Sequence, residues 1–224
     1  MKVAIDGPAG AGKSTVARQI ASRFGLTYVD TGAMYRALAL ACIRRGVGAD
    51  DVERVASVVE EAVVDLDGGT DGPPRVLLNG EDVTEAIRTP EVTRLASPLS
   101  ALPVVRRALV ARQRAIAQGR DVVMEGRDIA SVVLPDADVK VYLTASPSVR
   151  AARRCRDLEA AGYQTDPVTV EREIVERDRR DSTRQDSPLV QTPDAVEIVS
   201  DDLTVEQVVD AIARLIEQRL KDRA

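Results

Sequence analysis

Histidine is absent from this chain. Without it there can be no serine-histidine or cysteine-histidine nucleophile pair, and the commonest transition-metal ligand is missing as well. Cysteine occurs only as Cys42 and Cys155, far apart and in no C-x-x-C arrangement. That usage excludes a disulfide scaffold, speaks against a zinc site and fits a reducing compartment. Aromatic residues make up 2% of the chain and its net charge is -5. A nucleic-acid surface needs a basic field and stacking platforms, so no nucleic-acid partner is expected. Neither a signal-peptide core nor an apolar run of membrane length is present, which predicts a cytoplasmic protein with no membrane partner. Lysine appears only at Lys2, Lys13, Lys140 and Lys221, and arginine carries the remaining positive charge. Codon bias or a need for forked phosphate donors would each produce that excess. A length of 224 residues suits one domain, 1–224, carrying insertions.

The most informative stretch present is Gly7-Pro8-Ala9-Gly10-Ala11-Gly12-Lys13-Ser14-Thr15. It follows the apolar run Val3-Ala4-Ile5 and leads into Val16 to Ala21, whose apolar residues recur at helical spacing. Strand, glycine loop and helix in that order turn a G-x-x-x-x-G-K-[ST] match into a P-loop, a cradle of inward-facing N–H groups at the mouth of a helix. Phosphate would sit there, with Lys13 reaching the β and γ phosphates, Ser14 offering its hydroxyl to Mg²⁺, and Thr15 capping the loop from below.

Strand and helix signals then alternate. Thr27 to Asp30 reads as a strand and Ala33 to Arg45 as a helix introduced by Thr31-Gly32. Asp50 with Glu53 forms a capping-box pattern ahead of another helix. Val63 to Asp67, a Gly/Asp/Pro stretch at Gly68 to Pro74, Arg75 to Leu78 and an Asn79-Gly80 turn read as short antiparallel strands. Helical pieces follow at Glu85 to Ile87 and Glu91 to Ala96, punctuated by Pro90 and Pro98. Pro103 opens the next helix, Asp121 to Met124 is a strand ending at Glu125, and Val139 to Leu143 is another. Ser146-Pro147 and Asp166-Pro167 start two helices, Val196 to Val199 is the last strand, and Thr204-x-x-Gln207 caps the final helix. The expected fold class is α/β: a P-loop type of parallel sheet flanked by helices on both faces, with sites at the carboxyl ends of its strands. A small antiparallel β subdomain is inserted over residues 63–99, and an arginine-rich lid over 150–182.

Three further stretches carry charge to where chemistry would need it. Asp30 to Arg36 lies at the end of the second strand, where Arg36 could meet an anion at a helix mouth, or simply be a surface arginine beside a cap. Glu125-Gly126-Arg127-Asp128 projects acid, cation and acid toward the rim that holds the P-loop, unless it is only a charged turn. Arg150 and Arg154 share a helical face, as do Arg177, Arg180, Asp181 and Arg184. Like charges so arranged call for an anion opposite, a ligand or neighbouring Asp and Glu.

Taken together, the motifs GPAGAGKST, DTGAMYR, SPLSALPVVR followed by QR, EGRDIASVVLPDA and RDRRDSTRQDSPL resemble the bacterial cytidylate kinases from end to end. The resemblance implies a kinase of CMP or dCMP that uses ATP and Mg²⁺; a monomer is the expected state, though no motif in the sequence fixes it. By it, Ser97, Arg106 and Asp128 would read cytosine, Asp181 with Arg177 the ribose, and Arg36, Arg127 and Arg184 the phosphate, with Thr31 and Tyr35 beside them. Lys13, Arg127, Arg153, Arg177 and Arg184 would spread the charge of the transferred group. Thr31 stands where serine is also common, and Glu125 where aspartate is often found, so Asp30 and Glu125 both stay open as the acid supporting Mg²⁺ through water.

Residue chemistry agrees. A monophosphate acceptor attacks with an ionised oxygen, so no side chain must remove a proton and catalysis reduces to positioning and charge stabilisation. A shikimate- or gluconate-type kinase would instead phosphorylate a hydroxyl and need a carboxylate base, for which Asp30 or Asp128 is available. A GTPase-like switch lacks its guanine-selecting N-K-x-D motif here.

Overall fold

The computed structural model describes residues 1–67 and 75–222. The expected Gly/Asp/Pro loop at 68–74 lies outside the described residues. In chain order the elements are β1 (Lys2–Asp6), α1 (Lys13–Phe24), β2 (Thr27–Asp30), α2 (Thr31–Arg44), α3 (Val52–Glu61), β3 (Val64–Asp67), β4 (Arg75–Leu78) and β5 (Glu81–Asp82). They continue with α4 (Pro90–Leu99), α5 (Pro103–Ala117), β6 (Val122–Gly126), β7 (Val139–Thr144), α6 (Pro147–Ala160), α7 (Pro167–Thr183), β8 (Val196–Val199) and α8 (Val205–Lys221). A 3-10 turn, Ala86–Arg88, precedes α4, and a π-helical turn, Ile129–Val133, follows β6. The chain packs as two compact units, residues 1–26 with 121–224, and residues 27–120. No helix of the described residues is long and apolar enough to cross a membrane.

In the first unit β6, β1, β7 and β8 lie side by side in parallel, with Val3 opposite both Val123 and Val139. Residues Val3 to Ile5 and Val122 to Met124 are fully buried, as strands covered by helices must be. Helix α1 covers this sheet with Val16, Ala17 and Ile20 and packs on α8, which buries Val208, Val209, Ile212 and Ile216. Both halves of the Thr204–Gln207 capping box form. Ser146 and Asp166 cap α6 and α7, each with proline just inside the helix. These two helices pack on each other through a small cluster of their own, Ala151, Cys155, Val170 and Ile174.

The second unit holds an antiparallel sheet in the order β3-β4-β5. Asn79 and Gly80 have φ of 51° and 83°, the pair of positive values a tight hairpin demands, and Asn79 Oδ1 accepts from Val63 N at 2.8 Å. Helix α2 packs against this sheet and α4, burying Met34 and Leu38.

Four local expectations need correction. Helix α2 begins at Thr31, because Asp30 itself caps it by accepting from Ala33 N. The cap of α3 is Asp51, which accepts from Arg54 N, one residue later than the Asp50 pattern. Pro98 does not end α4: it sits in the last turn at the cost of one i to i−4 bond, and the helix closes beyond it with Ser100 N donating to Ala96 O. Thr15 does not cap the loop, since α1 already starts at Lys13 and Thr15 is an exposed residue of its first turn.

Candidate functional site

The P-loop is built on the carboxyl end of β1. Gly7 has φ of 145°, and a Cβ there would meet the Leu143 carbonyl oxygen of β7 at 1.9 Å, so only glycine lets the loop leave the sheet at this point. Gly12 occupies the N-cap of α1 in the left-handed region, φ 90° and ψ 9°, with no side chain capping that helix. The first N–H groups of α1 are thus left for a ligand. Lys13 is buried and donates through Nζ to Pro8 O at 2.7 Å, folding the ammonium back across the loop.

Burial, together with the nearby Arg127 and Arg177, pushes the Lys13 ammonium down to about 7, against the pull of Glu125 and Asp6. An anion of high charge density is what this loop needs to restore the cation. Ser14 lies in the first turn beside Lys13 and is half-buried, while Glu125 is buried at the end of β6.

A second group of charges stands at the rim after β6. Asp181 in α7 is buried, and three arginines converge on it. Arg127 Nε donates to its Oδ2 at 3.0 Å, Arg177 Nε lies 4.0 Å from Oδ2, and Arg184 Nη1 lies 3.8 Å from Oδ1. Desolvation alone would raise the Asp181 carboxyl, but Arg127, Arg177 and Arg184 prevail and hold it below its ordinary value. Arg184 also places Nη2 3.8 Å from Asp128 Oδ1. Three guanidinium groups gathered about one carboxylate form the kind of cationic surface that suits a further anion. The alternative of salt bridging among neighbours holds for Arg179 and Arg180, which pair with Glu176 on the exposed face.

Arg153 is held on protein oxygens: Nη2 donates to Ser200 O at 2.7 Å, and Nη1 to Ser200 Oγ at 3.1 Å and Ala11 O at 3.4 Å. Arg150 braces the other side of the same loop. Its Nη1 donates to Ala9 O at 3.1 Å and Asp178 Oδ2 at 2.6 Å, and its Nε to Ala145 O. The shared helical face had singled out Arg150 without showing this contact, which joins residues 141 apart in sequence.

Within the second unit, Asp30 Oδ1 accepts from Ala33 N at 2.8 Å and Oδ2 from Arg36 Nη2 at 3.0 Å, so the carboxylate both caps α2 and aims Arg36. Thr31 is buried in the first turn of α2, one turn before Tyr35. The Arg106 guanidinium is buried over the Tyr35 ring, 5.7 Å from its centre, and donates to Ser100 O at 3.2 Å. Ser97, buried near the end of α4, has no hydrogen-bond partner for its Oγ among the described residues. Each unit therefore carries its own polar set: Arg36, Ser97 and Arg106 in one, the P-loop, Arg127, Asp128 and the Asp181 cluster in the other.

Asp6 is the residue that sequence reasoning passed over. It is a buried carboxylate at the last position of β1, and it accepts from Ile129 N at 2.9 Å and Ala130 N at 2.7 Å. An acid closing an otherwise apolar strand, directly before the glycine loop, was the available signal.

Similarity to known proteins agrees with this geometry. The cytidylate kinase family model matches residues 3–218. A cytidylate kinase from Solibacter usitatus is 49% identical over 97% of this chain and 93% of its own length. Another from Pelotomaculum thermopropionicum is 51% identical over 94% of this chain and 93% of its own. In fold alone, the chain is like an uncharacterised protein from Eubacterium ventriosum, at a TM-score of 0.54 and 13% identity, covering 97% of this chain and 98% of that one. A P-loop, a rim of arginines about one buried acid and this extent of identity lead to one conclusion: the chain belongs to the cytidylate kinase family.

Proposed function

We propose that the protein transfers the γ-phosphoryl group of ATP to CMP or dCMP, giving ADP and CDP or dCDP. The observation that carries this reading is the convergence of Arg127, Arg177 and Arg184 on Asp181 in the unit that also holds the P-loop lysine. An ionised phosphate oxygen of the acceptor attacks Pγ, the bond from Pγ to the bridging oxygen breaks, and ADP leaves with the electron pair. No proton has to be removed, so a chain without histidine suffices. Arginines and Lys13 spread the charge of the passing phosphoryl group in a site from which water is excluded. The lid over 150–182 supplies that exclusion, and Arg153 takes part once it exchanges Ser200 and Ala11 for phosphate oxygens.

Ser97, Arg106 and Asp128 read the cytosine, Asp181 and Arg177 the ribose, and Arg36, Arg127 and Arg184 the monophosphate, with Thr31 and Tyr35 alongside. Mg²⁺ needs only one or two protein ligands when a triphosphate provides the rest, and Ser14 with Glu125 through water fits that demand. Asp30 is the other candidate acid, with its two oxygens accepting from Ala33 N and Arg36 Nη2. When bound, the ion neutralises charge on the β and γ phosphates. The enzyme works as a cytoplasmic monomer, without nucleic-acid or membrane partners.

Base reading is tested at Asp128. A carboxylate accepting from the cytosine amine gives nothing to the carbonyl that UMP carries at the same position. Asp128→Ala should therefore lower the CMP specificity constant by about ten- to a hundredfold, the worth of a good polar base contact, and UMP far less. Equal losses for both would assign Asp128 to packing or catalysis. Strong activity on shikimate or gluconate with none on CMP would favour the hydroxyl-kinase alternative.

A further inference from the structure

The turn that carries Asp128 is capped in an unusual way. Asp128 occupies the N-cap position of the π-helical turn Ile129–Val133: its main-chain oxygen accepts from Val132 N and Val133 N. An aspartate in that position ordinarily also turns its side chain onto the second or third N–H of the helix, here Ala130 or Ser131, and it is among the best residues for doing so. Here it does not. The N–H groups of Ile129 and Ala130 donate instead to the two carboxylate oxygens of Asp6, which lies 123 residues earlier in sequence than Ile129.

Two consequences follow for Asp128. Asp6 already holds the Ala130 N–H, one of the two that a side chain at this position would take, and the Asp128 carboxylate makes no cap on its own turn. Asp6 is also a buried like charge close by, and the two carboxylates repel each other. The Asp128 side chain points to Arg184 instead, with Oδ1 3.8 Å from Nη2. Asp6 is itself placed with little freedom: it ends a central strand whose register sets it opposite Gly126 on one side and Tyr142 on the other. The strand that launches the P-loop thereby also fixes the loop after β6.

We infer that Asp6 is a positioning residue for base selection: by capping the turn after Asp128 in that residue's place, it holds the Asp128 carboxylate toward the substrate. The role of Asp6 rests on the base contact proposed for Asp128. Removing the Asp6 cap would let Asp128 take up the vacated Ala130 N–H, turning the selecting carboxylate away while leaving it in the chain.

The test compares Asp6→Asn, Asp6→Ala, Asp128→Ala and the double variant Asp6→Asn with Asp128→Ala. Specificity constants for CMP and UMP are measured at saturating ATP, and urea denaturation confirms that each variant is folded. Asp6→Asn keeps the shape and one acceptor, and carries the test if Asp6→Ala does not fold. The ratio of CMP to UMP specificity constants should fall about tenfold in Asp6→Asn, within the range of a lost base contact, and further in Asp6→Ala. In the Asp128→Ala background, Asp6→Asn should change that ratio no further, because residues acting as one unit are not additive. If Asp128→Ala loses discrimination while Asp6→Asn lowers CMP and UMP alike, or the two losses multiply, the base contact stands and the role of Asp6 is overturned. If neither variant changes the ratio, the base contact itself is wrong and Asp6 falls with it.

Discussion

Replacing Gly7 by alanine asks the sheet and the P-loop to separate. The new Cβ would lie 1.9 Å from the Leu143 carbonyl oxygen and 3.0 Å from the carbonyl carbon, both main-chain atoms of β7. No rotamer relieves such a contact, because neither partner is a side chain. Normal separation is about 3.4 Å, so β1 and β7 would have to part by roughly 1.5 Å where Asp6 pairs with Tyr142. Overpacking of this kind costs about 1–3 kcal/mol, and a φ of 145° adds roughly another 1–3 kcal/mol for any residue but glycine. Gly12→Ala is the matched control. It shares the loop and a positive φ of 90°, yet a Cβ there meets nothing within 4 Å, so only about 1–2 kcal/mol of backbone strain remains. Urea denaturation should therefore rank Gly7→Ala below Gly12→Ala by about 2 kcal/mol, a large part of a stability of about 5–15 kcal/mol. What Gly7→Ala protein stays folded should bind ATP poorly, since a shift near 1 Å can cost about a hundredfold in a positioned site. Equal stabilities for the two variants, or the reverse order, would refute the close approach of Gly7 to β7.

The buried Lys13 predicts a proton linkage. Its folded value of about 7 lies below the ordinary 10.5, so the unliganded fold carries the full cost of the buried cation below pH 7 and sheds it as pH rises from about 7 toward 10.5. A triphosphate restores the charge, and ATP binding at pH 8 should take up about 0.9 of a proton, measured by calorimetry in buffers of different ionisation enthalpy. No uptake, or the same uptake in Lys13→Met, would contradict this. Asp181→Asn should weaken the preference for CMP over dCMP and lower stability by about 1–3 kcal/mol as three arginines lose their common anion. Lost stability with an unchanged CMP to dCMP ratio would leave Asp181 only the task of holding those arginines.

What could be read from the sequence is what local chemistry decides. Thr204 with Gln207, Ser146-Pro147 and Asp166-Pro167 mark helix starts because the capping atoms lie within a few residues of the N–H groups they satisfy. The Asn79-Gly80 hairpin was legible for the same reason. Neighbouring alternatives blurred the boundaries: Asp50 and Asp51 both suit a cap, and Pro98 is as compatible with a last helical turn as with a break. The π-helical turn was invisible, because its cap comes from Asp6 on another strand. Arg150 and Arg153 illustrate the same limit at the site. Their spacing announced cations, but only the fold shows them braced on Ala9, Ala11 and Ser200. The parts assigned to Ser97, Arg106 and Asp128 came from motifs shared with a family, since no local pattern distinguishes a base contact from a buried polar residue.

Substrate choice is measured most directly by ADP release from ATP and Mg²⁺ in the presence of CMP, dCMP, UMP, AMP, GMP, shikimate or gluconate, each at the same subsaturating concentration. CMP and dCMP should give the highest rates, UMP should follow at least about tenfold lower, as one lost base contact implies, and the two hydroxyl acceptors should give none above the rate with ATP alone. Release driven by shikimate or gluconate, or a purine monophosphate matching CMP, would contradict the assignment of this site to cytidine monophosphates.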